Sequence, residues 1–184
     1  DSTKTISLKN FMAGFVAATT GKKCLMTVDS AQLVAESLMR SIKAKQMEKT
    51  YGPNKEAGEK FLAENAKKEG VKTLPSGVQY KVIKEGNGAI PTDTSVVKVN
   101  YEGRLIDGTV FDSSYKRGEP ATFPVKSVIK GWTEILCHMP AGSEWEVYIP
   151  QELAYGEREQ GKDIKPFSAL IFKLELLEVD PAKK

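Results

Sequence analysis

Tyr101, Phe111-Asp112, Val128-Ile129 and Trp132 have the spacing of two strands and a short helix converging on one pocket, and Ala154-Tyr155-Gly156 and Phe172 complete the set. These are aromatic and aliphatic side chains around a single rim carboxylate, Asp112, with hydroxyls from Tyr101 and Tyr155. The group holds no activated nucleophile and no metal-ligand set. Cys24 and Cys137 lie in separate segments without ligand spacing and read as two small buried thiols, with a bridge between them the minority reading. The sole histidine, His138, sits beside Cys137 in a helical stretch and reads as a surface or satisfied helical residue, not a base. No metal and no cofactor are expected.

Any one of these residues taken singly would read as a plain core residue; the ordered set does not. With the runs Phe111-Asp112-Ser113-Ser114, Val128-Ile129-Lys130-Gly131-Trp132 and Ala154-Tyr155-Gly156, the stretch from about Leu74 to Val179 resembles the FKBP family of peptidyl-prolyl isomerases, the immunophilins that bind tacrolimus and rapamycin. The segment before it resembles the helical arm of the Mip (macrophage infectivity potentiator) and bacterial small-FKBP branch. The resemblance implies rotation about an X-Pro bond, a reaction without covalent or metal catalysis. It also implies roles. Trp132 becomes the floor under the proline ring, with Tyr101, Phe111, Val128, Ile129 and Phe172 as walls. Ile129 offers its backbone N–H to one substrate carbonyl and Tyr155 its hydroxyl to another. Asp112 is hydrogen-bonded to Tyr101 and to Arg117, which keeps it ionised and orients its field. Ile164 and Phe167 fold over the substrate, with Gly156 and Gly161 permitting that movement. Two departures from the best-known single-domain members are visible. Ala121 stands where an aromatic often lines the pocket, with Phe123 the next residue inward, which is expected to open one wall. Lys165 replaces a common second proline, which is expected to loosen the flap and make it more basic.

The elements that must position these residues follow from periodicity. Leu8, Phe11, Met12, Phe15 and Val16 recur at three and four residues, an apolar stripe on a first helix ending at Thr20-Gly21. A second helix starting with Thr27 or Asp29 as cap should bury Ala31, Ala35, Leu38 and Ile42. Gly52-Pro53 predicts a kink or break, since proline disfavours helical geometry before it and cannot donate to the preceding turn. Asn54 would then cap a third helix through Phe61, Leu62 and Ala66, stopped by Gly70 in a Schellman arrangement. That helix carries too narrow a stripe to form a core alone and must pack on something else. From Leu74 onward alternation takes over: Val97, Val99 and Tyr101 in one strand; Trp145, Val147 and Ile149 in another; Leu170, Phe172, Leu174 and Leu176 in the last. Asp107-Gly108 reads as a hairpin turn with positive φ at both positions. A short helix, about Ile129 to Met139, is left to lie on the concave face.

The resulting fold class is α+β: an N-terminal helical arm, 1–73, followed by a half-open antiparallel β-sheet wrapped around one short α-helix, 74–184. The 184 residues, 40% apolar and 28% charged, suffice for a buried core. A net charge of +3 from 27 basic and 24 acidic residues is too balanced for nucleic acid or an anionic membrane as main partner. The expected partners are proline-containing polypeptides, macrolides of the tacrolimus and rapamycin kind as inhibitors, and a second copy through the arm, although the upstream helix that entwines Mip-like subunits is expected to precede the start of this sequence. No apolar run reaches the roughly 20 residues needed to span a bilayer. A start at Asp1 suggests a processed chain, hence the bacterial cell envelope or periplasm after signal removal, with the cytoplasm as alternative. The rival function is a non-catalytic proline-peptide-binding chaperone using the same pocket.

Overall fold

The structure is a computed structural model describing residues 13–14, 16–17, 20–21 and 28–180. Its contacts divide the chain into two compact units, 1–46 and 47–184. In the first, Thr20 N–H donates to the Val16 carbonyl at 3.0 Å and Gly21 takes the left-handed conformation, φ 67°, so the expected helix end is present. Leu8, Phe11, Met12, Phe15 and Thr27 lie outside the described residues, as do the side chains of Asp29 and Ala31. Helix α1 spans Val28–Asn65. The stripe expected to be buried along its first half is not covered: Ala35 is exposed, Leu38 is half-buried, Ile42 is 50% exposed, and Leu33 and Met39 are each 68% exposed. A helix buries a face only against a second layer, and the described residues of this unit supply none.

The break expected at Gly52-Pro53 does not occur, because α1 continues through Pro53. Proline removes one donor and crowds the carbonyl four residues back, a cost of about 3 kcal/mol. Helix-favouring Ala, Lys and Glu residues on both sides, and anchors beyond the proline, offset it. Asn54 accordingly caps nothing. Its side-chain amide donates instead to the Pro166 carbonyl at 3.1 Å. The helix also ends earlier than expected, at Asn65; short i to i−3 turns follow, and Gly70 is left-handed at φ 80° as expected of a stop.

The second half of α1 has its partner in the sheet. Phe61 lies 6.0 Å, ring to ring, from Tyr148. Asn65 Nδ2 donates to Gln79 Oε1 at 3.0 Å, and Gln79 Nε2 donates to the Leu62 carbonyl at 2.8 Å. A Cβ on Gly58 would stand 3.0 Å from the Ala169 methyl, so helix and sheet are in contact there. Division by composition at residue 73 and division by contact therefore differ: residues 47–73 fall in the same compact unit as the sheet.

The strands are β1 Val71–Thr73, β2 Gln79–Lys84, β3 Val96–Leu105, β4 Val110–Ser113, β5 Ala121–Pro124, β6 Glu144–Ile149 and β7 Leu170–Val179. They form one antiparallel sheet in the order β1-β2-β6-β7-β3-β4, with β5 pairing the first half of β3 beside β4. Alternation sets the faces. Val97, Val99, Tyr101, Trp145, Val147, Ile149, Leu170, Phe172, Leu174 and Leu176 are all buried, facing the short helix α3, Lys130–Leu136. Tyr148 is buried as well although it points to the opposite face, because Phe61 of α1 lies on it. Gly131 lets α3 approach β6: a Cβ there would meet Ile149 Cγ2 at 2.5 Å.

The β3–β4 hairpin is present, but its turn is not the one expected. Only Gly108 has positive φ, 90°; Leu105 and Thr109 close a three-residue loop at 2.9 Å, and Asp107 Oδ1 accepts the Thr109 N–H at 2.8 Å. With its carboxylate capping the turn, Asp107 avoids the left-handed strain of a non-glycine residue.

Candidate active site

Five aromatic rings meet on the concave face. Trp132, from the first turn of α3, stands edge-on to Tyr101 at 5.2 Å, to Phe172 at 5.2 Å and to Phe123 at 5.9 Å. Phe111 packs edge-on to Phe172 at 5.7 Å. Edge-to-face contacts of this kind add to area burial and fix ring orientation. Gly103, which pairs with both Asp112 and Phe172, makes room for the last two: a Cβ there would sit 2.6 Å from the Phe111 ring and 2.8 Å from the Phe172 ring. Ile164 belongs to the same buried cluster, and Val128, Ile129 and Tyr155 pack against it half-buried. Tyr101, Phe111, Val128, Ile129, Trp132, Ile164 and Phe172 are thus brought together, whereas Phe167, expected to fold over the pocket with Ile164, is not part of that cluster. Beside Ala121, Phe123, two residues on and on the same face of β5, packs its ring against Tyr101 and Trp132.

The polar rim is built by a single turn. Ser113 ends β4 and caps helix α2, Ser114–Arg117, accepting the Lys116 N–H at 3.4 Å, while left-handed Gly118 closes it. Ser114 is fully buried and pins this turn to β3, accepting the Tyr101 N–H at 2.8 Å. Arg117 is thereby carried back over Tyr101, its guanidinium 5.3 Å from the ring centroid. Tyr101 Oη donates to Asp112 Oδ2 at 2.5 Å, Arg117 Nη2 donates to Tyr101 Oη at 2.8 Å, and Arg117 Nη1 donates to Asp112 Oδ1. Burial pushes the Asp112 carboxyl up, but the hydrogen bonds from Tyr101 and Arg117 and the Arg117 charge together hold it below its usual value of 3.8. Tyr101 is pushed up by burial and by its bond to Asp112. Tyr155 is pushed up by burial and then by the charge of Asp112. Both phenols therefore stay protonated, and Tyr101 donates to the one anion.

Val128-Ile129 links the 3-10 turn Val125–Ser127 to α3. Ile129 caps α3 through its carbonyl, which accepts from Trp132 and Thr133, while its own N–H has no protein acceptor among the described residues. The flap runs from Gly156 to Phe167. Phe167 N–H donates to the Gly156 carbonyl at 2.8 Å, and Gln160 and Ile164 form a two-residue bridge. Lys165, expected to make the flap more basic, is paired with Glu159.

No histidine among the described residues belongs to this cluster. His138 is exposed at the far end of α3, its Nδ1 2.9 Å from the Glu134 carbonyl oxygen. Cys137 is a free, half-buried thiol, raised by burial and by Asp93; Cys24 lies outside the described residues. A hollow of about 430 Å³ lies elsewhere, between Leu62, Ala63 and Ala66 of α1 and Pro150 and Leu153, and takes in none of these groups. Sequence reasoning named Phe123 only as the next residue inward from Ala121, and missed Gly103 as the gap that admits two rings; nothing in the strand pattern marked the first. A glycine within an alternating strand was the signal for the second.

Comparisons with known proteins agree with this geometry. Residues 88–177 match the FKBP-type peptidyl-prolyl cis-trans isomerase domain, and residues 1–82 match the domain amino-terminal to it. The FKBP-type 22 kDa peptidyl-prolyl cis-trans isomerase of Escherichia coli is 51% identical over 91% of this chain and 81% of its own length. The peptidyl-prolyl cis-trans isomerase Mip of Coxiella burnetii is 59% identical over 68% of this chain, which spans 55% of that protein. The outer membrane protein MIP of Legionella longbeachae is 47% identical over 88% of this chain and 71% of its own length. The crystal structure of FkpA from Escherichia coli superposes with a TM-score of 0.71 at 37% identity, covering 97% of this chain and 84% of that one. With the family's domain pair, its fold and an aromatic pocket of this kind in one chain, the protein belongs to the FKBP-type peptidyl-prolyl cis-trans isomerases, on their Mip-like branch.

Proposed function

We propose that this isomerase turns X-Pro bonds by desolvation and hydrogen bonding alone, in the pocket floored by Trp132. The planar amide resists rotation with a barrier of about 18–20 kcal/mol because resonance must be broken. In the twisted state the amide dipole shrinks, so a dry aromatic cage favours it over the planar form. Phe111, Val128, Trp132, Ile164 and Phe172 hold the proline ring. The unpaired Ile129 N–H and the neutral Tyr155 hydroxyl take the substrate's carbonyls. Asp112, held ionised by Tyr101 and Arg117, presents a fixed negative field to the twisted carbonyl carbon. The observation that carries this reading is the Tyr101–Asp112–Arg117 triangle beside four packed rings. A millionfold acceleration asks about 8 kcal/mol of differential binding from such a site.

The test is isomerisation of a short proline peptide by the wild type, Asp112→Asn and Trp132→Leu, each with and without a tacrolimus-like macrolide. The reading expects turnover that the macrolide blocks and that both substitutions lower. Binding without turnover would instead favour a non-catalytic chaperone.

The substrates in this reading are proline-containing polypeptide chains. The exposed Leu33, Met39 and Ile42 on α1 favour a second role for the arm, pairing with another copy or holding unfolded clients. Sedimentation of the whole chain at micromolar concentration separates the two. The resemblance to an outer membrane protein supports a place in the cell envelope.

A further inference from the structure

The Pro166–Phe167 peptide unit is anchored at both ends, and one anchor comes from the arm helix. Its N–H, on Phe167, donates to the Gly156 carbonyl at 2.8 Å, closing the base of the flap. Its C=O, on Pro166, accepts from Asn54 Nδ2 of α1 at 3.1 Å. Phe167 stands at φ 62°, a left-handed conformation that a bulky L-residue holds only when its surroundings enforce it. Pro166 is buried and Asn54 half-buried, so the bond is shielded from competing water. One turn further along the helix, Gly58 abuts Ala169, two residues beyond Phe167. The same flap carries Ile164, buried in the cluster of Trp132 and Phe172.

From these contacts we propose that Asn54 is a positioning residue for the prolyl pocket: by fixing the strained Pro166–Phe167 unit it holds the Ile164 flap over the substrate and makes helix α1 part of the enzyme's binding site. The proposal rests on the pocket reading given above. Losing the bond frees the flap to open, so substrate binding weakens while the groups that act on the twisted amide stay in place. KM should rise and kcat change less.

The experiment uses the whole chain with Asn54→Ala and Asn54→Asp, the second keeping the size of the side chain without its N–H donor, and Lys55→Ala on the exposed face as control. Exchange of the Gln160, Ile164 and Phe167 amides is measured alongside KM and kcat for a short proline peptide. Both Asn54 variants should speed exchange of those amides and raise KM by about twofold to tenfold, the range set by one neutral hydrogen bond. Lys55→Ala should do neither. Unchanged exchange and KM in the Asn54 variants would overturn the proposal. Turnover that survives both Asp112→Asn and Trp132→Leu would point to a different failure, that of the pocket reading.

Discussion

Asp112 and Trp132 separate field from floor. Trp132 is 5% exposed and touches three other rings, so Trp132→Ala should destabilise the protein by about 3–5 kcal/mol as well as cut turnover. Denaturant midpoints and peptide kinetics on the same preparation check both effects. Asp112 is more accessible, with 43% of its side chain exposed, so its ion pair is screened and contributes little to stability. Asp112→Asn should lower turnover with the midpoint nearly unmoved. Because its folded pKa is lowered, Asp112 contributes stability above the ordinary carboxylate value of 3.8, and the contribution is lost as pH falls through the lower folded value. The melting temperatures of wild type and Asp112→Asn should therefore converge in acid below that value; a gap that widens there would contradict the assigned direction. Much of the residue scale was legible in the sequence, because Phe111-Asp112, Ile129 and Trp132 sit in ordered runs with a distinctive spacing. Phe123 was not, since residues two apart on one strand share a face and only register against β3 decides which ring reaches Trp132.

At the scale of elements, alternation identified β3, β6 and β7 because one face is apolar and the period is short. It does not reveal the burial of Tyr148, which points away from that face and is covered by Phe61 of α1. Pro53 misled for the opposite reason. Local propensity measures one residue's cost, whereas the helix is held by its continuation on both sides and by Asn54, Gly58, Phe61 and Asn65 against the sheet. Turn type at Asp107 depended on a side-chain bond that a dipeptide preference does not contain. Gly131 gives a prediction at this scale. Gly131→Ala places a methyl 2.5 Å from Ile149 Cγ2, pushes α3 from β6, and should cost about 1–3 kcal/mol in urea unfolding while displacing Trp132 enough to lower turnover.

For the whole molecule, the useful boundary lies inside α1. A chain starting at Met47 keeps Asn54, Phe61 and Asn65 on the sheet and should match the full chain in peptide turnover and thermal stability. A chain starting at Leu74 uncovers Tyr148, Gln79 and Ala169, and should lose roughly 3 kcal/mol or more. Equal melting temperatures for the two truncations would show that α1 stabilises nothing. The central claim, that the pocket rotates a peptide bond without moving a proton, has one direct measurement: kcat/KM for a short, non-titrating proline peptide from about pH 6 to 8, in water and in deuterium oxide. With Asp112 held ionised and the phenols of Tyr101 and Tyr155 held protonated, the profile should be flat and the solvent isotope effect near unity. A sigmoidal or bell-shaped profile abolished by His138→Gln, or a solvent isotope effect of about two or more, would contradict it.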